Sequence, residues 1–310
     1  MPWERANLFS HLVTVGAAGS FATVFAAERG NTDLLMFAGS VLFWLLLCGS
    51  AMARSVGYLV VLAIGMLKFY PLTLLSLFVR EAKRVWMLGG LFVAALLLFL
   101  AMFRDELSRI GANMATGLFN RMYGAQSIPF GLMEIWRTSG ALDENGVTFL
   151  NLDFLSWLLM CAMTGACLLR ALARGRDRTL QDMLSRMGTR KRLLLLVGAA
   201  LCCGCFFGHQ NINYRAVLLL LVVPGLLSLV NAAQKGGEKR SFQLISLLVV
   251  LLMWGGLIDD SFIGWLAVQL AWWWVVCVLL SIVFSEFGSD LARQFGYENR
   301  FYIDHARAAE

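Results

Sequence analysis

The chain has 310 residues, of which 59% are hydrophobic and only 15% charged, where soluble domains carry roughly a quarter charged residues. With a mean hydropathy of +0.70, that composition excludes an ordinary water-soluble domain and describes an integral membrane protein. The formal charge of +6 does not point to nucleic acid, because the basic residues fall in short clusters between apolar runs, where cytoplasmic loops place them.

Residues 8–27 form the first apolar run. Glu28-Arg29 follows instead of a small-residue cleavage site, so the run reads as a span and not as a cleavable leader. Further runs lie near 34–52, 86–103, 154–173, 193–208, 216–232, 242–258 and 262–284, each close to the about 17 to 25 residues that cross a hydrocarbon core. The stretch 56–79 is expected to fold back as a short hairpin broken at Lys68–Pro71, since a single crossing would leave Lys68 and Pro71 in mid-membrane. The expected architecture is an all-α polytopic transmembrane bundle with about ten passes. It divides into an N-terminal membrane part over 1–104, an external loop over 105–153, C-terminal membrane helices over 154–284 and a cytoplasmic tail over 285–310.

Basic residues set the orientation. Arg170, Arg174, Arg176, Arg178, Arg186, Arg190, Lys191 and Arg192 face only Asp177 and Asp182 in one loop, which is therefore expected to be cytoplasmic and to contact anionic lipid. Lys235, Lys239 and Arg240 mark a second inside loop, and Arg80, Lys83 and Arg84 a third. The segments His209–Arg215, Asp259-Asp260 and 105–153 are then external. Both termini are expected in the cytoplasm, with the chain in a bacterial inner membrane.

Segment 105–153 interleaves Phe119, Tyr123, Phe130, Met133 and Trp136 with Arg121, Glu134 and Arg137, a composition suited to amphipathic helices lying on the membrane surface. Gly124, Pro129 and Gly131 are expected to break them into short pieces, and Asp143-Glu144-Asn145-Gly146 reads as an exposed turn. Of Trp272, Trp273 and Trp274, some belong to an interfacial belt and some pack internally.

The seven cysteines, Cys48, Cys161, Cys167, Cys202, Cys203, Cys205 and Cys277, all lie in apolar runs and read as small hydrophobes. Cys202-Cys203-Gly204-Cys205 lacks the acidic or histidine partners of a metal site. The chain contains no Walker loop, dinucleotide fingerprint, nucleophile elbow or HExxH motif, so no cofactor and no metal are expected.

Three polar clusters interrupt this apolar chain. In Glu28-Arg29-Gly30-Asn31-Thr32-Asp33, Asn31 or Thr32 caps a helix and Asp33 complements its dipole; equally, Glu28, Arg29, Asn31 and Asp33 offer the groups that sugar hydroxyls need. In Lys68-Phe69-Tyr70-Pro71, Lys68 either snorkels to the surface or presents its ammonium to a phosphate, with Tyr70 beside it. In His209-Gln210-Asn211-Ile212-Asn213-Tyr214-Arg215, Tyr214 and Arg215 suit headgroup anchors. The alternative makes Arg215 a phosphate clamp and His209, Gln210 and Asn213 hydroxyl binders.

These motifs resemble those of the polyprenol-dependent membrane glycosyltransferases of the GT-C fold, closest to the family 87-like mannosyltransferase type. Glu28–Asp33 before an apolar helix, followed by Gly65-Met66-Leu67-Lys68-Phe69-Tyr70-Pro71, is similar to the family's paired "GN-x-D" and "LK-x-YP" signatures. Asn213-Tyr214-Arg215 before a run containing Pro224 resembles its later "YR" motif. The resemblance implies a polyprenyl-phosphate sugar donor, a glycolipid or envelope polysaccharide acceptor, and transfer with inversion at the external face. One departure is important: the family's catalytic Asp lies in a first external loop between two helices that precede everything seen here. A misassigned start at Met1, a natural short form and a partner membrane protein supplying those helices all fit that difference. The catalytic residue is left open, with Asp33 the best local carboxylate.

Two other functions compete. A non-catalytic membrane subunit would bind a lipid carrier or support a polysaccharide or glycolipid assembly enzyme. A transporter predicts matched broken helices in both halves of the chain, whereas the sequence signals one, in the first half.

Overall fold

The computed structural model describes residues 8–28, 32–81, 90, 94, 97–98, 101–106, 109, 122–138, 147–208, 211–233, 236–257 and 261–294. Its regular structure is helical apart from one two-residue antiparallel pairing. Four stretches are long and apolar enough to cross a membrane: Leu8–Glu28, Phe154–Gly175, Thr189–Gly208 and Phe262–Asp290. A fifth arises if Arg215–Leu221 and Val223–Ala232, bent by 40° at their junction, count as one broken span. The about ten crossings anticipated from apolar runs are thus not all present as full-length helices among the described residues. Hydropathy measures the length of an apolar run and is blind to a break inside it.

The chain begins with α1 (Leu8–Ala18) and α2 (Phe21–Glu28), interrupted at Gly19-Ser20. Next come α3 (Thr32–Leu47) and α4 (Ala51–Leu67), whose entry is capped by the Ser50 hydroxyl accepting from the Ala53 N–H. Phe43 meets Tyr58 edge-on at 5.3 Å where these two helices pack together. Lys68 then leaves the helix in extended conformation (φ −147°, ψ 134°), and the chain turns into a 3-10 helix, η1 (Tyr70–Arg80), with Pro71 in its first turn. That position needs no backbone N–H, so the proline starts the helix without disturbing it.

The expected hairpin is present. Tyr58 stacks on Phe78 with ring centroids 3.8 Å apart, and Arg54 near the start of α4 reaches Glu81, just past η1, at 3.0 Å. The 17 residues of α4 extend roughly 25 Å, and the 11 residues of η1 about 22 Å because 3-10 geometry rises faster per residue. The two arms therefore match in length.

Within the segment 105–153 lie β1 (Met122–Tyr123) and α5 (Ser127–Thr138). Helix α5 is amphipathic, as expected, but Pro129 and Gly131 do not break it. Pro129 occupies the first turn, and the absent side chain at Gly131 is the space taken by the Trp265 ring. Gly124, with φ of 144°, is a true interruption. Helix α6 (Val147–Gly175) starts inside the segment assigned to the loop, so the loop boundary at 153 falls within a helix. The expected turn at Asp143–Gly146 and most of the run 86–103 lie outside the described residues.

The basic loop contains α7 (Arg178–Arg186), capped by Asp177 and burying Leu180, Met183 and Leu184 while Arg178 and Arg186 stay exposed. Helix α8 (Thr189–Gly208) follows and is buried along most of its length. It is the hub of the bundle, packing on α3, on η1 and on three later elements, η2 (Asn213–Leu221), α9 (Val223–Ala232) and α11 (Phe262–Gln294); β2 (Asn211–Ile212) stands directly before η2. Between α9 and α11 lie α10 (Gly237–Met253) and the short η3 (Gly255–Leu257). The run 216–232, expected as one span, is instead η2 and α9, broken where Pro224 starts the second piece. Trp272 and Trp273 are buried, so part of the tryptophan triplet packs internally, and Trp274 is half exposed.

Helix α11 runs without a break through 285, the expected start of the tail, to Gln294. There Glu286 accepts from Arg80 at 2.7 Å, Asp290 lies 3.2 Å from Arg80, and Arg192 lies 3.6 Å from Glu286. Arg80 is at one end of η1, while Lys68 and Tyr70 are at the other.

Candidate functional site

Asp33 lies in the first turn of α3 and is fully buried. A negative charge is favoured there by the helix dipole, but the neighbouring elements supply the decisive interactions. The Lys68 ammonium lies 2.7 Å from Asp33 Oδ1. The Tyr70 hydroxyl donates to the same oxygen, also at 2.7 Å. Arg215 Nε donates to Oδ2 at 3.4 Å, and its guanidinium carbon lies 5.5 Å from the centre of the Tyr70 ring, within cation–π range.

Each donor is positioned by a local break in regular structure. The extended residue Lys68 and the 3-10 turn at Tyr70 form the tip of the α4–η1 hairpin. Arg215 is in the first turn of η2, just after β2, which pairs with β1 in the register Met122 with Ile212 and Tyr123 with Asn211. That pairing fixes the segment entering η2 against β1. The side chains of Lys68 and Arg215 are 21% and 19% exposed against 0% for Asp33, so two cations form an outer layer over a buried carboxylate. Such a layer attracts an anion from outside, and its carboxylate and phenol add acceptors and donors for hydroxyl groups.

The polar path continues inward. Arg215 also faces the Cys205 thiol, which lies 3.3 Å from the Tyr123 hydroxyl, and Tyr123 stacks on Trp272 at 4.2 Å. Sequence reasoning missed these three residues. Cys205 was read as packing and Tyr123 as part of a surface helix, and no spacing connects either to Arg215.

Of the residues expected to bind substrate, Asp33, Lys68, Tyr70 and Arg215 come together. Glu28 is exposed at the end of α2. Asn213 and Tyr214 open η2 directly before Arg215. Arg29, Asn31, His209 and Gln210 lie outside the described residues. Among the described residues, no three His, Cys, Asp or Glu side chains gather as metal ligands. A cavity of about 160 Å³ bounded by Arg174, Asp177, Leu180, Met183 and Phe242 lies at the basic-loop end, away from Asp33. No family model, curated protein or solved structure matches this chain.

Proposed function

We propose that this chain is a GT-C-like membrane glycosyltransferase that moves a sugar from a polyprenyl-phosphate donor to a glycolipid or envelope polysaccharide acceptor. The reaction takes place at the external face of a bacterial inner membrane, with both termini cytoplasmic. The observation that carries this reading is the meeting of Lys68 and Arg215 over Asp33, from segments 35 and 182 residues away in sequence. Breaking a sugar–phosphate bond needs cations where charge grows on the leaving oxygen, and hydroxyl recognition needs carboxylate and phenol groups. Leu67 and Phe69, 65% and 48% exposed on either side of Lys68, offer apolar surface to a lipid tail. This orientation is supported by Arg54, Arg80 and Arg192 gathering at the hairpin end opposite Lys68, since the positive-inside rule favours basic residues at a cytoplasmic end.

The test is transfer by purified protein in lipid nanodiscs, using a panel of polyprenyl-phosphate sugars and glycolipid acceptors. A new glycosidic bond supports the proposal, and none with any donor removes it. Lys68→Ala and Arg215→Ala are each expected to weaken polyprenyl-phosphate binding about tenfold, and unchanged affinity in both takes away their role. Binding without transfer would favour the non-catalytic subunit.

One observation favours a second reading, a carrier of an anionic substrate. The break between η2 and α9 gives the second half of the chain its own broken segment, and broken segments in both halves are an arrangement that transporters use. Flux of a lipid-linked sugar across proteoliposomes, without formation of a new bond, distinguishes it.

A further inference from the structure

The geometry at Asp33 poses a problem for any incoming phosphate. Both carboxylate oxygens are already engaged, Oδ1 by Lys68 and Tyr70 and Oδ2 by Arg215, and these cations are the ones a phosphate needs. Their outer edges are accessible while Asp33 is not, so an arriving anion meets the cations first and competes with the carboxylate behind them. The donor phosphodiester matches the carboxylate, with one negative charge and two unbridged oxygens, so it takes over the cations only with the added binding of its sugar and lipid tail, while Asp33 opposes it at short range as a like charge.

Resting on the glycosyltransferase reading, we propose that Asp33 is a masked base, released when the donor phosphate takes over Lys68 and Arg215. In the step that follows, the acceptor hydroxyl gives its proton to the freed Asp33 carboxylate and its oxygen bonds to the anomeric carbon. The bond from that carbon to the phosphate oxygen breaks, and the electron pair stays on the phosphate. The product phosphate is a monoester with greater charge than the donor diester, so the two cations hold the leaving group more strongly than the substrate, which is the differential binding that catalysis requires. When the phosphate departs, Asp33 passes its proton to water and pairs again with both cations. An empty site therefore keeps its base covered, and donor bound without acceptor is protected from premature attack only by exclusion of water.

Asp33→Asn tests the exchange because asparagine keeps an acceptor for Lys68 and Tyr70 but removes the competing charge. Binding of a long-chain polyprenyl monophosphate to protein in nanodiscs is expected to be about tenfold tighter in Asp33→Asn than in wild type. Equal or weaker binding by a folded Asp33→Asn protein overturns the masking while leaving the transferase reading intact. No binding by wild type sinks the transferase reading instead. Because loss of a buried ion-paired charge can unfold a chain, a second measurement uses wild type alone: labelling of Asp33 by dicyclohexylcarbodiimide, read by peptide mass. Labelling is expected to rise several-fold when polyprenyl phosphate is added, and constant or reduced labelling overturns the proposal. If inorganic phosphate reproduces both effects at the same concentration, the exchange stands and recognition of the lipid tail is excluded.

Discussion

Arg54 Nε lies 3.0 Å from both carboxylate oxygens of Glu81, which ties the start of α4 to the end of η1 and holds Lys68 at the tip of a closed hairpin. The two partners are not equivalent: the Arg54 side chain is 34% exposed and that of Glu81 only 6%. Removing the exposed cation strips a buried carboxylate of its clasp, whereas removing the carboxylate leaves a cation that can turn to water. Arg54→Ala is therefore expected to destabilise by about 2–3 kcal/mol and Glu81→Ala by roughly 1 kcal/mol. Thermal unfolding in detergent measures both, and equal losses would show that the clasp does not depend on burial.

Tyr70 contributes twice to the site, through its hydroxyl on Asp33 and its ring under Arg215. Tyr70→Phe keeps the ring and is expected to cost about 1–2 kcal/mol for the lost charge-assisted bond. Tyr70→Ala loses both contacts and the partly buried ring, and is expected to cost about 2–4 kcal/mol. The order of the two in thermal melting is the check.

At the hub, the hairpin lies so close to α8 that a Cβ on Gly204 would collide with the side chain of Thr73. Thr73 is itself held by its hydroxyl, whose single proton is shared between the carbonyls of Tyr70 and Ala200 at 2.8 and 3.2 Å, so it cannot turn aside without losing them. Gly204→Ala is expected to destabilise by about 2–3 kcal/mol, and Thr73→Ala in the same chain to restore part of it. A double-mutant cycle reads the coupling, and purely additive losses would disprove the contact.

Arg80 anchors the other end of η1 to Glu286 and Asp290, whose side chains are 4% and 11% exposed. Arg80→Gln is expected to cost about 3–5 kcal/mol, because buried Glu286 is left to the more distant Arg192 and Asp290 loses its contact with Arg80. Adding Glu286→Gln should recover most of the loss. Failure to recover, measured by urea or thermal unfolding, would indicate that Arg80 acts through packing of its stem.

Much of the site was legible in the chain because polar residues are costly in an apolar setting, so Asp33, Lys68, Tyr70 and Arg215 stand out wherever the bundle puts them. The hairpin was legible for the same reason, from Lys68 beside Pro71. The extension through Cys205 and Tyr123 was not, since a thiol in an apolar helix and a tyrosine in a mixed segment look like packing until Arg215 lies beside them. Nor was the break between η2 and α9 read as one, although Pro224 marks it, because the flanking residues are apolar throughout.

The sequence by itself determined that this chain is built from apolar helices with polar interruptions, because hydropathy and backbone chemistry act over a few neighbouring residues. Only the tertiary structure decided that three of those interruptions share one carboxylate, and that Arg80 and Arg192 meet Glu286 at the far end. Distances between residues far apart in sequence are set by how helices pack around α8, and no local pattern encodes that packing.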